Sequence, residues 1–281
     1  MKTRSWFRRL ALYAGLAFLY VPILSMVFFS FNNSRLVTVW DSADSPTLKW
    51  YRALLENEQI LGAAWLSIKV GAVTATGAVI LGTLAGLALA RFGPFRGRTL
   101  LSGMTTAPLV MPEVITGLSL LLLFVFLEQL TGWPEGRGFA TIVIAHITFS
   151  MAYVTIVVQS RLASFDDSLE EAALDLGARP AKVFFRITLP LILPAILSGW
   201  LLAFTLSWDD VVISQFVAGP GSTTLPMVVF SKVRLGVSPD INALATIMVT
   251  IVGLGVVLSA LYMRRQERRL AVEMRMAQAD K

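Results

Sequence analysis

In the middle of the chain, residues 168–190 read SLEEAALDLGARPAKVFFRITLP. The spacing Ser168-Leu-Glu-Glu171 is typical of a capping box at a helix N-terminus. Gly177 stands where the end of a helix favours a residue that tolerates positive φ, and Pro180 suits the first turn of a second helix. The stretch therefore predicts two short helices joined by a tight turn, inside a polar loop at residues 161–189.

Long apolar blocks flank this loop on both sides and recur along the 281-residue chain. A helix needs about 20 apolar residues to cross the hydrocarbon layer of a bilayer. Six blocks approach or exceed that length, at residues 10–31, 70–90, 100–127, 138–160, 187–208 and 241–263. Because only a helix satisfies its own backbone hydrogen bonds while facing lipid, the sequence predicts an all-α, integral membrane bundle of six transmembrane helices.

The basic residues predict the orientation of this bundle. The segments assigned to the inner side carry 17 Lys and Arg residues, whereas the outer loops carry 6. The positive-inside rule then places both termini in the cytoplasm, an N-in/C-in topology. The net charge of +6 follows from this asymmetry and gives no support to nucleic-acid binding. The first block is too long for a signal peptide and lacks a cleavage site, so we expect it to be retained as a span.

These patterns divide the chain into three parts. Residues 1–61 are predicted to hold the cytoplasmic N-terminus, the first transmembrane helix and an outer amphipathic loop. Residues 62–263 are predicted to form a five-helix core that contains the loop at 161–189, and residues 264–281 a basic cytoplasmic tail. In the outer loop, residues 47–61 predict either an interfacial helix with Trp50 and Tyr51 at headgroup level or a connecting helix packed on the bundle.

Several residues inside the blocks have predicted structural roles. Gly82 and Gly86 form a GxxxG pattern that lets helices approach closely in lipid. Pro108 and Pro112 predict that the third helix is bent or broken about halfway along. His146 is the only histidine, and a hydrogen bond between helices is a better hypothesis for it than a metal site.

Three carboxylates, Glu113, Asp209 and Asp210, lie within or at the rim of the predicted spans. A charge at membrane depth costs at least ~2.5–3.5 kcal/mol, so it usually faces a partner or an aqueous cavity. We expect Asp209 near the outer end of the fifth helix and Glu113 near the middle of the third. For Asp210 and Glu113 a cation path and a structural role remain equal hypotheses. For Asp209 we favour the path over a structural pair such as one with Lys69.

The chain offers little for catalysis. It has no cysteine, hence no thiolate nucleophile or thiolate metal ligand. It also has no GxxxxGK[ST] phosphate-binding loop, so it is not expected to hydrolyse ATP itself. The sequence predicts that the chain is not an enzyme and binds no cofactor or metal.

Glu171-Ala172-Ala173, then Gly177, then Ile187-x-Leu189-Pro190 resemble the EAA motif of the permease subunits of type I ABC importers. All seven defining positions match at the expected spacing, and the resemblance extends over nearly the whole chain. It implies a type I ABC importer permease fold whose helix at residues 171–177 couples the pore to an ATPase. The implied coupling residues are Glu171, Ala172, Ala173, Asp175, Gly177, Arg179 and Pro180.

Further stretches, at residues 107–118, 206–213, 216–220, 224–227 and 237–246, are similar to the second permease of spermidine/putrescine importers. This resemblance implies a bacterial cytoplasmic (inner) membrane protein that imports polyamines by alternating access. Asp209, Asp210, Glu113 and Trp208 are the candidate residues of the substrate path.

The implied partners are a second, homologous permease subunit, two ABC ATPase subunits that bind ATP and Mg²⁺, an extracytoplasmic polyamine-binding protein and membrane lipid. Three alternatives remain. The same architecture could import another small solute, although carboxylates in the spans disfavour an anion. A secondary transporter is disfavoured by the EAA loop, and a membrane scaffold is disfavoured by kinked, carboxylate-bearing spans.

Overall fold

The structure is a computed structural model that describes residues 3–34, 39–164, 166, 168–236, 238–255, 257–258 and 261. These residues form helices and loops, with no β-strand among them. The helices are α1 (Thr3–Phe29), α2 (Lys49–Leu55), α3 (Glu58–Arg91), α4 (Arg98–Val110), α5 (Glu113–Thr131), α6 (Phe139–Ala163), α7 (Ser168–Asp175), α8 (Pro180–Val183), α9 (Leu189–Asp209), α10 (Val212–Val217) and α11 (Leu225–Leu235), followed by α12 (Pro239–Gly255). The chain separates into two compact units, Gln59–Ser231 and a unit drawn from Met1–Glu58 and Lys232–Lys281.

Within the described residues, five helices are long and apolar enough to cross a membrane. They are Trp6–Phe29, Glu58–Arg91, Glu113–Thr131, Phe139–Ala163 and Pro180–Asp209. The all-α prediction is therefore confirmed for this part of the chain. The sixth predicted span falls on α12, which is shorter, and part of the block at 241–263 lies outside the described residues. The predicted basic tail at 264–281 also lies outside them.

The third apolar block is two helices rather than one. Helix α4 ends at Val110, and Met111 and Pro112 adopt extended backbone with ψ of 135° and 136°. A proline pushes the preceding residue out of the helical region and cannot donate a backbone hydrogen bond. The break that the prolines predict is confirmed, and the helix that is long and apolar enough to cross a membrane starts at Glu113. Glu113 therefore stands in the first turn of this helix, where the sequence predicted the middle of one long span.

The fifth block is longer than the sequence predicted. Helix α8 begins at Pro180, as expected, but it continues through a π-helical turn, Phe184–Thr188, directly into α9. In that turn the backbone N–H of Leu189 bonds to the carbonyl of Phe184, five residues earlier. A π-helical turn holds one residue more than an α-helical turn. The wider turn accommodates Pro190, which has no N–H and in an α-helix would clash with the carbonyl four residues back. The second helix of the loop and the fifth span are thus one rod of 30 residues.

Helices α3 and α6 pack closely in the larger unit. A Cβ added to Gly82 would lie 2.8 Å from Val154 Cβ and 2.9 Å from the Met151 carbonyl oxygen. One added to Gly86 would lie 3.2 Å from the carbonyl oxygen of Thr155. The predicted GxxxG seam is therefore confirmed, with α6 as the partner helix.

In the other unit, α2 is bound to the end of α1. The Asn32 side chain accepts a hydrogen bond from the backbone N–H of Asp41 (2.9 Å). Trp50 Nε1 donates to the backbone carbonyl of Asn32 (2.7 Å), and the Tyr51 hydroxyl lies 2.6 Å from Ser30 Oγ. Because both aromatic residues bond within the protein, the geometry favours a packed connecting helix over an interfacial one.

Candidate functional site

The loop at 161–189 folds into a helical hairpin, which we call the coupling hairpin (α7 to the π-helical turn). Its turn is a Schellman motif, in which the N–H of Gly177 bonds to the carbonyl of Leu174 (2.8 Å) and that of Ala178 to the carbonyl of Ala173 (3.0 Å). Gly177 has φ of +82°, a conformation that side chains with a Cβ rarely adopt. The glycine of the motif is therefore required by the backbone of the turn.

The start of α7 differs from the predicted capping box. The helix includes Ser168 itself, and the cap comes from the residue two positions earlier, because Asp166 Oδ1 accepts the Ser168 backbone N–H at 3.0 Å. This backbone hydrogen bond, helped by the Ser168 side chain, holds the pKa of Asp166 below its ordinary value. Asp166 thus stays ionised where a helix N-terminus favours negative charge.

The hairpin carries the predicted coupling residues on its exposed side. Glu171, Ala172, Asp175, Gly177, Arg179 and Pro180 are exposed, and Ala173 is half-buried. Large apolar side chains stand beside them, with Leu176 89% and Phe185 64% exposed. Exposed apolar groups in a polar loop are a mark of a protein interface.

One carboxylate of α7 points the other way. Glu170 is 17% exposed and accepts a hydrogen bond from the Thr188 hydroxyl at 2.5 Å. Its other oxygen lies 3.4 Å from Nε of Arg91, the last residue of α3. Sequence analysis missed this cluster. The sequence held one signal for it. Glu170 and Leu174, four residues apart, lie on the same face of the helix, and a charge beside an apolar side chain on a packed face needs a partner.

The two consecutive aspartates at the end of α9 have different surroundings. Asp209 is exposed, whereas the Asp210 side chain is 7% exposed and lies 3.1 Å from His146 Nε2. Asp210 also accepts the backbone N–H groups of Ile213 (3.2 Å) and Ser214 (2.7 Å). These contacts favour the structural hypothesis for Asp210, which closes the turn between α9 and α10.

His146 holds this turn from α6. Its Nδ1 lies 2.7 Å from Ser207 Oγ of α9, and its Nε2 lies 3.1 Å from Ser214 Oγ of α10. The predicted hydrogen bond between helices is therefore confirmed. Asp210 shares the same ring nitrogen. One residue from each of α6, α9 and α10 and one from the turn between α9 and α10 therefore form one buried cluster, which we call the His146 cluster (His146, Ser207, Asp210 and Ser214).

The remaining path candidates are not members of this cluster. Trp208 stacks on Phe204, which stacks on Trp200, with ring centroids 5.9 and 5.5 Å apart along one face of α9. Glu113 is exposed at the first turn of α5. Within the described residues Asp209 forms no ion pair with Lys69, whose Nζ lies 5.8 Å from the centroid of the Trp65 ring instead.

Solved structures of known proteins share this fold. A chain from a bacterial ABC transporter involved in the import of the acidic polysaccharide alginate matches with a TM-score of 0.71 at 17% identity, covering 92% of this chain and 95% of that one. A chain from an inward-facing MetNI methionine ABC transporter matches with a TM-score of 0.57 at 15% identity, covering 71% and 92%. Identities this low establish the fold alone.

Sequence comparisons go further. The Escherichia coli K12 putrescine transport system permease protein PotI is 56% identical over 266 residues, which are 95% of this chain and 94% of that protein. The spermidine/putrescine transport system permease protein PotC of the same strain is 42% identical over 249 residues, 88% and 90% of the two chains. The family model for the binding-protein-dependent transport system inner membrane component matches residues 78–272. The chain therefore belongs to this family of multi-pass inner membrane transport components.

Proposed function

We propose that this chain is the pore-forming permease subunit of an ATP-driven importer that moves polyamines of the putrescine and spermidine class into the cytoplasm. The observation that carries the proposal is the 56% identity to a putrescine permease, which extends over 95% of the chain. The fold alone would not select a solute, because alginate and methionine transporters share it.

Membership of the permease family supports a specific assembly for this importer. Six spans with both termini inside would place the coupling hairpin at the cytoplasmic face, where its exposed apolar side chains dock on one of two ATPase subunits. ATP and Mg²⁺ bind to those subunits, and a second, homologous permease completes the pore. An extracytoplasmic binding protein delivers the polyamine, as one solved relative in complex with a substrate-bound periplasmic protein supports.

The path candidates suit a flexible polycation. An ammonium group that leaves water loses hydration, and a carboxylate such as Asp209 offsets part of that loss. Aromatic faces attract cations and pack against methylene groups, so Trp208 beside Asp209 could hold one end of a diamine. Glu113, exposed beside the break between α4 and α5, is the second carboxylate that we assign to the path.

Reconstitution tests this proposal. The permease pair, the ATPase and the binding protein would be purified together and placed in proteoliposomes. We expect ATP-dependent uptake of labelled putrescine or spermidine, which an excess of unlabelled polyamine suppresses and an excess of amino acid does not. Uptake of another solute class, with no polyamine uptake, would contradict the proposed substrate while leaving the importer assignment intact.

A further inference from the structure

Two adjacent glutamates of α7 have different environments. Successive residues of a helix are rotated by about 100°, so Glu170 and Glu171 cannot face the same way. Glu171 is exposed, on the side of the hairpin that carries the predicted coupling residues. Glu170 is largely buried between α7 and the helices behind it. A burial of this kind is costly for a carboxylate unless it has partners.

The partners of Glu170 belong to two long helices. Thr188, which donates to Glu170 Oε1 at 2.5 Å, is the last residue of the π-helical turn and directly precedes α9. Arg91, 3.4 Å from Glu170 Oε2, ends α3. One carboxylate therefore joins the coupling hairpin to the ends of both helices.

The surroundings of this joint favour a stiff connection. Apolar side chains line the open pocket beside it, among them Leu87, Leu174 and Val183, and polar contacts become stronger where such side chains exclude water. The end of α3 is itself fixed, because Arg98 donates to the carbonyls of Leu89 (3.0 Å) and Gly93 (2.8 Å). A displacement of α7 would therefore act directly on the ends of α3 and α9.

We propose that Glu170 is a positioning residue that transmits movement of the coupling hairpin to α3 and α9, and that it acts separately from ATPase docking. The proposal rests on the proposed function, since the ATPase partner supplies the movement. A docking residue determines whether the ATPase binds. A transmitting residue determines how much substrate crosses the membrane for each ATP that is hydrolysed.

The test compares variants of Glu170, Thr188 and Arg91 in the reconstituted complex. Glu170→Gln removes the charge but keeps an acceptor, and Thr188→Val removes the hydroxyl that Glu170 binds. For both we expect normal co-purification of the ATPase and continued ATP hydrolysis. The number of polyamine molecules imported per ATP should fall at least about fivefold, the lower end of typical coupling between sites.

Two controls distinguish transmission from general damage. Thr148→Val removes a hydroxyl that bonds within its own helix, to the carbonyl of Ile144 (2.8 Å), and should leave the import ratio unchanged. The exchanged pair Glu170→Arg with Arg91→Glu restores an ion pair with reversed polarity, and should recover import relative to either single charge reversal.

Three results would overturn the proposal. They are an unchanged import ratio in both Glu170→Gln and Thr188→Val, loss of ATPase association in both, or no recovery in the exchanged pair. Failure of the wild-type complex to import any polyamine would instead contradict the proposed function. In that case the ratio measured with the solute that is imported would still test Glu170.

Discussion

At the scale of single residues, the informative contrast is between Asp209 and Asp210. Both stand at the end of an apolar helix, yet Asp210 turns inward to His146 and to two backbone N–H groups, while Asp209 stays exposed. Hydrogen bonds to a buried charged group stabilise a fold more than neutral ones do. We therefore propose that Asp210 serves stability and that Asp209 belongs to the substrate path, and this proposal can be tested.

The prediction concerns two single substitutions with the same chemistry. Asp210→Asn removes a charged acceptor from the His146 cluster, and it should lower the free energy of unfolding by about 1.5–3 kcal/mol. Asp209→Asn removes an exposed charge, so stability should stay within about 0.5 kcal/mol, whereas polyamine uptake should fall about tenfold or more. Thermal unfolding in detergent and uptake by proteoliposomes measure the two effects. Loss of stability in Asp209→Asn together with loss of uptake alone in Asp210→Asn would contradict both roles.

At the scale of elements, the coupling hairpin depends on the turn at Gly177. Gly177→Val forces a β-branched residue into the left-handed region, at a cost of roughly 1–2 kcal/mol or more. We expect insertion into the membrane to be preserved and ATPase affinity to fall about tenfold or more, as such a cost implies. Pull-down of the ATPase measures this. Gly62→Val is the matched control, because Gly62 lies in α3 with open space around it. Equal ATPase binding in the two variants would contradict the role of the turn.

The seam between α3 and α6 gives a second prediction at this scale. Gly82→Ala places a Cβ within 3 Å of Val154 and of a backbone carbonyl, and such overpacking typically costs 1–3 kcal/mol. The unfolding temperature of the solubilised protein should fall. Gly103→Ala, at a helical position with nothing within 4 Å, should leave that temperature unchanged or raise it slightly. Equal unfolding temperatures for the two variants would show that α6 shifts to make room for the added Cβ at little cost.

These elements also show what the sequence can and cannot predict. The turn at Gly177 and the break at Pro112 were predictable, because glycine and proline act on the backbone within a few residues. The pairing of Asp210 with His146, 64 positions away, was not predictable, and neither was that of Glu170 with Arg91. Such contacts depend on which faces of two helices meet. Local spacing showed only that these charges needed partners.

At the scale of the whole molecule, the helices and the charge distribution together bear on the number of spans. Five helices of the described residues can cross a membrane, which with a cytoplasmic N-terminus would leave the C-terminus outside. The charge distribution predicts a cytoplasmic C-terminus instead, because six Lys and Arg residues follow residue 263. A sixth crossing that includes α12 reconciles the two, since basic residues near the end of a span favour the cytoplasmic side.

The absence of cysteine from the chain makes this prediction directly measurable. Single cysteines would be introduced at Glu135, in the α5–α6 loop, at Leu176, the most exposed apolar residue of the coupling hairpin, and at Gln266. A membrane-impermeant maleimide added to whole cells should label only Glu135→Cys, and permeabilised cells should show labelling at all three.

Leu176→Cys reports the side on which the hairpin lies and Gln266→Cys the side on which the C-terminus lies, so the two sites test different crossings. Labelling of Gln266→Cys from outside, with Leu176→Cys still protected, would mean that α12 does not cross and that the chain has five spans. Protection of Glu135→Cys together with labelling of Leu176→Cys would invert the topology and place the coupling hairpin beyond the reach of a cytoplasmic ATPase.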